Sequence, residues 1–405
     1  MSTFDFLPLG ILILILVVML HPKVRDSAAW RATVTPLASI IGSGFLIVAP
    51  LLVAAVGTNA VVAICSIIAL ALWVGGAIRY NIRRDGQDLI SMAISGVAQL
   101  ERIADAALAV AYVISISFYL RLMAAFVLDG VGAYSDFNAD IVAVVLVMFI
   151  GLYGWRNGLY GLERLEEYSV TVKLSIIGAL LIWLMSNDWT NGYDLSAIVS
   201  QGDNWWEQLR LLGGMLLIVQ GFETSKYLGS TYSRDLRAKS MFRAQIVAGI
   251  IYLVFVTLSL PLMAGVFDGS TKETAIIDLT AQITPILPVL LIIAAVMSQF
   301  SAAVADTIGA GGVVERESSS RISIRTSYLM IATASSLLIM LTHIFELVAI
   351  ASRVFAFYYF LQAILATRLS WAFEQGSRKS LLSLSHALLA LLMLLIFIFG
   401  KAVEG

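Results

Sequence analysis

PLASIIGSGFLIVAP, residues 36–50, is an apolar stretch with Gly42, Ser43 and Gly44 at its middle. A helix that only has to cross lipid gains nothing from such a break, because mid-membrane is where backbone groups most need partners. Unwound backbone at that depth is tolerated only where protein buries it or where it lines a cavity. Packing of small residues against a second helix predicts a four-residue spacing instead, and consecutive positions do not provide it. The stretch therefore predicts a membrane helix interrupted near its centre, with free N–H and C=O groups able to hold a small ligand.

The surrounding composition agrees. Of 405 residues, 60% are hydrophobic and 13% are charged, against about 25% charged in a soluble domain. The net charge of −1 leaves no basic surface domain for nucleic acid. Cys65, the single cysteine, lies in an apolar run and reads as a small buried hydrophobe. His21, His343 and His386 are scattered, so neither a disulfide nor a structural metal site is expected. Gly309, Gly311 and Gly312 lack the lysine of a phosphate-binding loop, which argues against ATP-driven transport within this chain.

Apolar runs of membrane-crossing length, roughly 17–25 residues, recur about twelve times between residues 4 and 399. The first, at 4–20, lacks the basic start and cleavage site of a signal peptide and reads as a retained helix. Alternate loops and helix ends carry twenty Lys and Arg residues, whereas the opposite side carries Arg210, Lys272 and Lys401. The positive-inside rule assigns the richer side to the cytoplasm and both termini to the outside of a plasma membrane, read here as a bacterial inner membrane. Trp205 and Trp206 in the opposite loops read as interface anchors.

A second interruption falls at Gly221 in LLIVQGFETSKY, residues 216–227. The two breaks open two five-helix sets, near 31–186 and 209–369, and paired broken helices are the sequence pointer to an inverted-repeat transporter. The organisation predicted is an extra N-terminal helix and cytoplasmic loop at 1–30, a ten-helix core at 31–372 (repeats near 31–186 and 206–372), and a C-terminal helix at 373–405.

These residues resemble the amino acid–polyamine–organocation (APC) superfamily, whose fold is the all-α, polytopic LeuT type with a 5+5 inverted repeat. Gly42-Ser43-Gly44-Phe45 with Pro50 fits the family's first core helix. GLYGLERLEEYSVTVKLSIIGALL, residues 158–181, is similar to its fifth, and QGFETSKYLGSTYSRDLRAKSMFRA, residues 220–244, to its sixth and the basic loop after it. Leu217 stands where many exchangers carry a gating aromatic, and STYSRDLRAKS lacks the acidic-Asn-Pro pattern of many relatives.

The resemblance implies a substrate site at Ile41, Gly42, Ser43 and Gly44 on one break and Val219, Gln220, Gly221 and Phe222 on the other. Amides and the Ser43 hydroxyl would hold a carboxylate, and the Val219 and Gln220 carbonyls an amine. Tyr119 and Phe355 are cavity-lining candidates. Glu223 would brace the unwound turn or take part in coupling. Lys173 lies inside an apolar run, where insertion costs about 2.5–3.5 kcal/mol at a helix centre. It either snorkels to the interface or, as the resemblance implies, takes the place of a sodium ion. Asp306, with Ser301 and Thr307 nearby, either pairs with Lys173 or contributes to a cation site. Arg121 and Arg353 read as intramembrane cations paired with Asp129, Glu346 or carbonyls, the alternative being contact with an anionic group of the substrate.

The function implied is a secondary active transporter of a small zwitterionic or amine solute, proton-coupled and sodium-independent, with no cofactor, no metal and no catalytic step. The partners are a small-molecule substrate and the lipid bilayer. A sodium-coupled symporter or channel on the same scaffold, and an amino acid or amine exchanger, remain open.

Overall fold

Polar caps fix several helix starts. Ser27, Ser135, Asn204 and Ser323 each accept a hydrogen bond from an amide of the turn that follows, satisfying donors that a helix start leaves free. The computed structural model describes residues 3–42, 44–84, 96–130, 132–196, 198, 204–264, 280, 284, 286–342 and 344–401, and these form helices and no strands. In chain order they are α1 (Thr3–Leu20), α2 (Pro22–Arg25), α3 (Ala28–Ile40), α4 (Gly44–Val56), α5 (Ala60–Arg84), α6 (Val97–Gly130) and α7 (Asp136–Asn191). There follow α8 (Trp205–Gly214), 3-10 segments Met215–Val219 and Phe222–Tyr227, α9 (Arg234–Ala264), α10 (Leu287–Glu317), α11 (Ile324–Leu341), α12 (Ile344–Phe373) and α13 (Gly376–Phe399).

Among the described residues, eight helices are long and apolar enough to cross a membrane. The difference from the apolar runs in the sequence has local causes. Ile47–Arg84 joins two runs, and α7 joins two more around a kink at Gly158, whose φ of 67° lies in the left-handed region that favours glycine. The run in α1 is shorter, and the run at 209–228 breaks into 3-10 pieces. The fold is thus a polytopic helical membrane protein with two interrupted helices, α3–α4 and α8 with its 3-10 continuation.

Lipid offers little hydrophobic drive for helices to associate, so close approach of small residues and interhelical hydrogen bonds do that work. Gly151 of α7 faces Ala332 of α11, while Gly154 of α7 and Gly311 of α10 both abut the ring of Tyr328. The interrupted α3 packs against α9, α10 and the segment Phe222–Tyr227. On the outside, α1 lies on α7, where Ile15 meets Gly178, and α13 lies on α12.

Three expectations change. Cys65 is exposed, because it sits on the outward face of α5 rather than the face packed on α9. Arg121 pairs with Asp140 at 2.5 Å and Asp136 at 3.2 Å across the α6–α7 turn; the Asp129 side chain lies outside the described residues. Arg353 is exposed on α12, and its expected partner Glu346 has no described side chain. Trp205 and Trp206 are exposed at the start of α8, consistent with interface anchors.

Candidate functional site

The break in the first core helix frees carbonyls, and the structure gives them partners. Helix α3 stops at Ile40, Ile41 leaves helical geometry with a ψ of 63°, and α4 resumes at Gly44. Ser43 lies outside the described residues. Lys173 of α7, fully buried, extends its amine into the gap. Its Nζ donates to the Ala38 carbonyl at 3.0 Å, the Ile41 carbonyl at 2.6 Å and the Ser301 hydroxyl at 2.7 Å. Ser301 donates its own hydrogen to the Ser298 carbonyl, so it can only accept from Lys173. Three acceptors require three N–H donors, which an ammonium has and a neutral amine lacks. The snorkelling reading is therefore not what the structure shows.

The second break is built around Gly221, whose φ of 108° is left-handed. Its N–H donates to Glu223 Oε2 at 3.0 Å, and the Tyr359 hydroxyl donates to the same oxygen at 2.9 Å. The Gly221 carbonyl accepts from the Thr224 hydroxyl at 2.8 Å. Glu223 thus braces the unwound turn, and Phe222 stacks on Tyr359 with ring centroids 5.5 Å apart. Gln220 Nε2 donates to the Tyr119 hydroxyl at 3.0 Å. The two breaks meet at Tyr252 of α9, whose hydroxyl lies 2.9 Å from the Ile40 carbonyl and 3.0 Å from the Ile218 carbonyl and shares one hydrogen between them.

Asp306 and Lys173 do not pair with each other. Asp306 Oδ1 accepts from the Ser39 hydroxyl at 2.7 Å, while Lys173 holds the neighbouring Ala38 and Ile41 carbonyls. Both groups grip the last turn of α3, from different directions. Thr307 bonds back to the Ala303 carbonyl of its own helix. Phe355 packs edge-on to Tyr112, 6.1 Å between centroids, and belongs to a buried ring cluster. Gly42 sits near Ala302 and Tyr119, and Val219 is buried beside Tyr252. Among the described residues at the breaks, Gly42, Val219, Gln220, Gly221 and Phe222 are buried. The Leu217 side chain is outside the described residues.

A cavity lies apart from the breaks, among basic residues that the charge asymmetry assigns to the cytoplasmic side. It measures about 730 Å³ and is lined by Lys226, Tyr227, Arg234, Arg237, Gly312 and Arg316 among others. At its wall is a charged cluster in which Lys226 and Arg316, two of the twenty basic residues of loops and helix ends, meet Glu101 and Asp105. Lys226 is buried and lies 3.2 Å from Glu101 and 3.4 Å from Asp105; Arg316 reaches Glu101 at 2.5 Å. Tyr227 donates to Asp105 at 2.7 Å. The cluster ties α6, the second broken helix and α10 together. A second tie joins Arg31 and Tyr232 to Glu163, at 2.5 and 2.9 Å. A carboxylate just inside one span facing a lysine just inside another was the available signal.

Removing one member of a buried pair leaves the other charge uncompensated, at a cost of about 3–5 kcal/mol. Asp105→Ala should therefore lower stability by an amount of that order, read as the apparent melting temperature of the purified protein. An unchanged value would show that Glu101 alone satisfies Lys226.

Two comparisons bear on this geometry. The family described as APC superfamily transporter matches residues 22–400. A protein of Aquifex aeolicus (strain VF5), described as uncharacterized, is 41% identical over 404 residues, covering 99% of this chain and 98% of that one.

Proposed function

The chain belongs to the APC superfamily of transporters, and from that premise we propose that it moves a small zwitterionic or amine solute across the plasma membrane by alternating access, without sodium and with a proton as coupling ion. The observation that carries the sodium-independent part is the environment of Lys173. Two carbonyls and a hydroxyl converging between α3, α7 and α10 form an oxygen set suited to a small cation, and the Lys173 ammonium already fills it. A resident positive charge there makes a bound sodium ion unfavourable and removes the need for one.

Coupling then falls to groups that can exchange a proton. With its hydrogens engaged, Lys173 acts as a fixed charge. Asp306 and Glu223, both fully buried and next to the breaks, and the buried Glu166, bonded to Thr35 of α3, are groups able to take one. The paired interruptions support the two-repeat organisation of the core, and rocking of one bundle against the rest would open the buried breaks to the 730 Å³ cytoplasmic cavity.

The test is uptake into proteoliposomes of a labelled panel of amino acids and amines. The expected result is equal uptake with sodium or with choline as the external cation, driven by an acid-outside gradient and collapsed by a protonophore. Uptake that requires sodium would overturn the sodium-independent reading, and uptake indifferent to the protonophore would overturn proton coupling in favour of exchange.

A further inference from the structure

Arg31, Thr35 and Ser39 of α3 stand four residues apart on one face, and each donates to a carboxylate. Arg31 reaches Glu163 Oε2 at 2.5 Å, the Thr35 hydroxyl reaches Glu166 Oε2 at 2.7 Å, and the Ser39 hydroxyl reaches Asp306 Oδ1 at 2.7 Å. Four residues of helix rise about 6 Å, so the stripe is a ladder of acids climbing from the start of α3 to its break. Glu163 and Glu166 both stand on α7, and Lys173 of the same helix takes the Ala38 and Ile41 carbonyls beyond them. The contacts advance together along both segments, so α3 and α7 run side by side in one direction here.

The three acids differ in what surrounds them. Glu163 is ion-paired to Arg31 and accepts from the Tyr232 hydroxyl through its other oxygen at 2.9 Å. Arg31 is half-buried and Tyr232 lines the 730 Å³ cavity, so this outermost acid sits next to water. Glu166, one turn further in, is fully buried; its Oε1 has no partner, and among the described residues no cation is ion-paired to it. Asp306 is also fully buried, with Oδ2 unpartnered. From α6 it is faced by Ser115, whose hydroxyl donates to the Ala111 carbonyl, and by the Tyr112 hydroxyl, which lies against Gly309 one turn along α10 and has no partner.

A brace for Thr35 does not call for an acid at Glu166. A glutamine carbonyl accepts from a hydroxyl equally well, and burying an acid with one unpaired oxygen costs more than burying an amide that fits. The charged and titratable groups facing Glu166 are Glu163 and Lys173 on its own helix, Asp306 of α10, Tyr328 of α11 and Tyr232 before α9. Lys173 has its hydrogens committed, and the Tyr328 hydroxyl is buried without a partner. The group able to pass a proton inward from Glu166 and the group able to receive it are thus adjacent rungs, a one-turn gap of the size a bridging water spans.

We propose that Glu166 is the relay through which a proton passes between the cytoplasmic cavity and Asp306, and that the Arg31–Glu163–Tyr232 tie is the seal over it. When the tie parts, a hydronium ion in the cavity protonates the Glu166 carboxylate and leaves water. The resulting acid gives that proton to the Asp306 carboxylate and returns to a carboxylate itself. This rests on the reading of transport as proton-coupled and supplies the route the proton takes.

The experiment follows hydrogen–deuterium exchange of carboxyl groups by infrared spectroscopy, on the full-length, detergent-purified protein moved into acidic heavy-water buffer. The Asp306 band is the carboxylic C=O stretch that Asp306→Asn removes or, if that variant does not fold, that Asp306→Glu shifts. In Glu166→Gln this band is expected to take up deuterium at least about a hundredfold more slowly than in wild type, because a positioned side chain speeds proton transfer by about 10²–10⁴-fold. Glu166→Asp should recover part of the rate, and Tyr232→Phe, which removes one side of the seal, should raise it. Amide exchange of α3 and α7 peptides, read by mass spectrometry, should stay as in wild type; a purely structural Glu166 would move amides and carboxyl together or neither.

If Glu166→Gln does not fold, Thr35→Val releases Glu166 from its rung and should slow the same band severalfold. Wild-type exchange of the Asp306 band in whichever folded variant is measured overturns the relay. So does the absence of any Asp306 band in acid, since a carboxyl that never takes a proton receives nothing. The two readings fail separately: protonophore-indifferent uptake by the wild type overturns proton coupling, and unchanged carboxyl exchange overturns only the route.

Discussion

Lys173→Met is expected to abolish transport, with a loss of at least about a hundredfold, equivalent to roughly 2.7 kcal/mol, and to lower stability by about 3 kcal/mol. The stability loss follows from what the ammonium leaves behind. Methionine fills much of the same volume and donates nothing, so the Ala38 and Ile41 carbonyls and the Ser301 hydroxyl lose their shared partner in a fully buried gap. Each orphaned acceptor costs about 1–3 kcal/mol, offset in part because the variant no longer buries a charge. The transport loss follows from the position of those carbonyls, which are the last turn of α3 and set where the break begins. Lys173→Arg should not rescue, because a planar fork cannot present three converging donors to this set. Proteoliposome uptake and a thermal melt check both parts; wild-type uptake in Lys173→Met would remove Lys173 from the mechanism.

The second large effect is expected at Gly221. Gly221→Ala places a side chain on a residue with a φ of 108° and drives its Cβ into the Ser39 Oγ and Cβ, with the Ser39 backbone carbon 2.8 Å away. The left-handed conformation by itself costs about 1–2 kcal/mol for a residue with a Cβ. Overpacking against a backbone that cannot retreat adds about 1–3 kcal/mol more. Ser39 cannot retreat, because it lies in the last turn of α3 and donates to Asp306. The variant should lose the folded state by several kcal/mol and show no uptake. Gly192→Ala is the control: its φ is 87° and nothing lies within 4 Å of the added Cβ, so it should cost only the conformational part. Ser39→Gly in the Gly221→Ala background should recover some stability and leave that part in place. Equal melting temperatures for Gly221→Ala and Gly192→Ala would show that contact with Ser39 is not what makes Gly221 necessary.

Much of this site is visible before any coordinates. Gly42-Ser43-Gly44 and Gly221 interrupt apolar runs, and Lys173, Asp306 and Glu223 are charges where charge is costly. These are local properties, and the price of an unpaired polar group in lipid is high enough that each such residue announces a partner. Ser39, Tyr112 and Tyr252 do not announce themselves, because a serine or tyrosine in an apolar helix can satisfy its hydroxyl on its own backbone or face the interface. Lys226, Asp105 and Arg316 sit at span ends, where charge is ordinary, so their sequence positions do not mark them as members of one cluster.

The amino-acid sequence alone determined the membrane-spanning helical class, the two interruptions, the family resemblance and which residues must find partners, since hydropathy, glycine content and the cost of burying charge are set residue by residue. Only the tertiary structure decided who the partners are. Pairing of Lys173 with Asp306 is one of two readings of the sequence, and the two instead hold neighbouring positions at the end of α3; Cys65 looked buried and faces outward. Those outcomes depend on which faces of helices far apart in the chain come together, and that is fixed by the packing of the whole bundle and by no single segment.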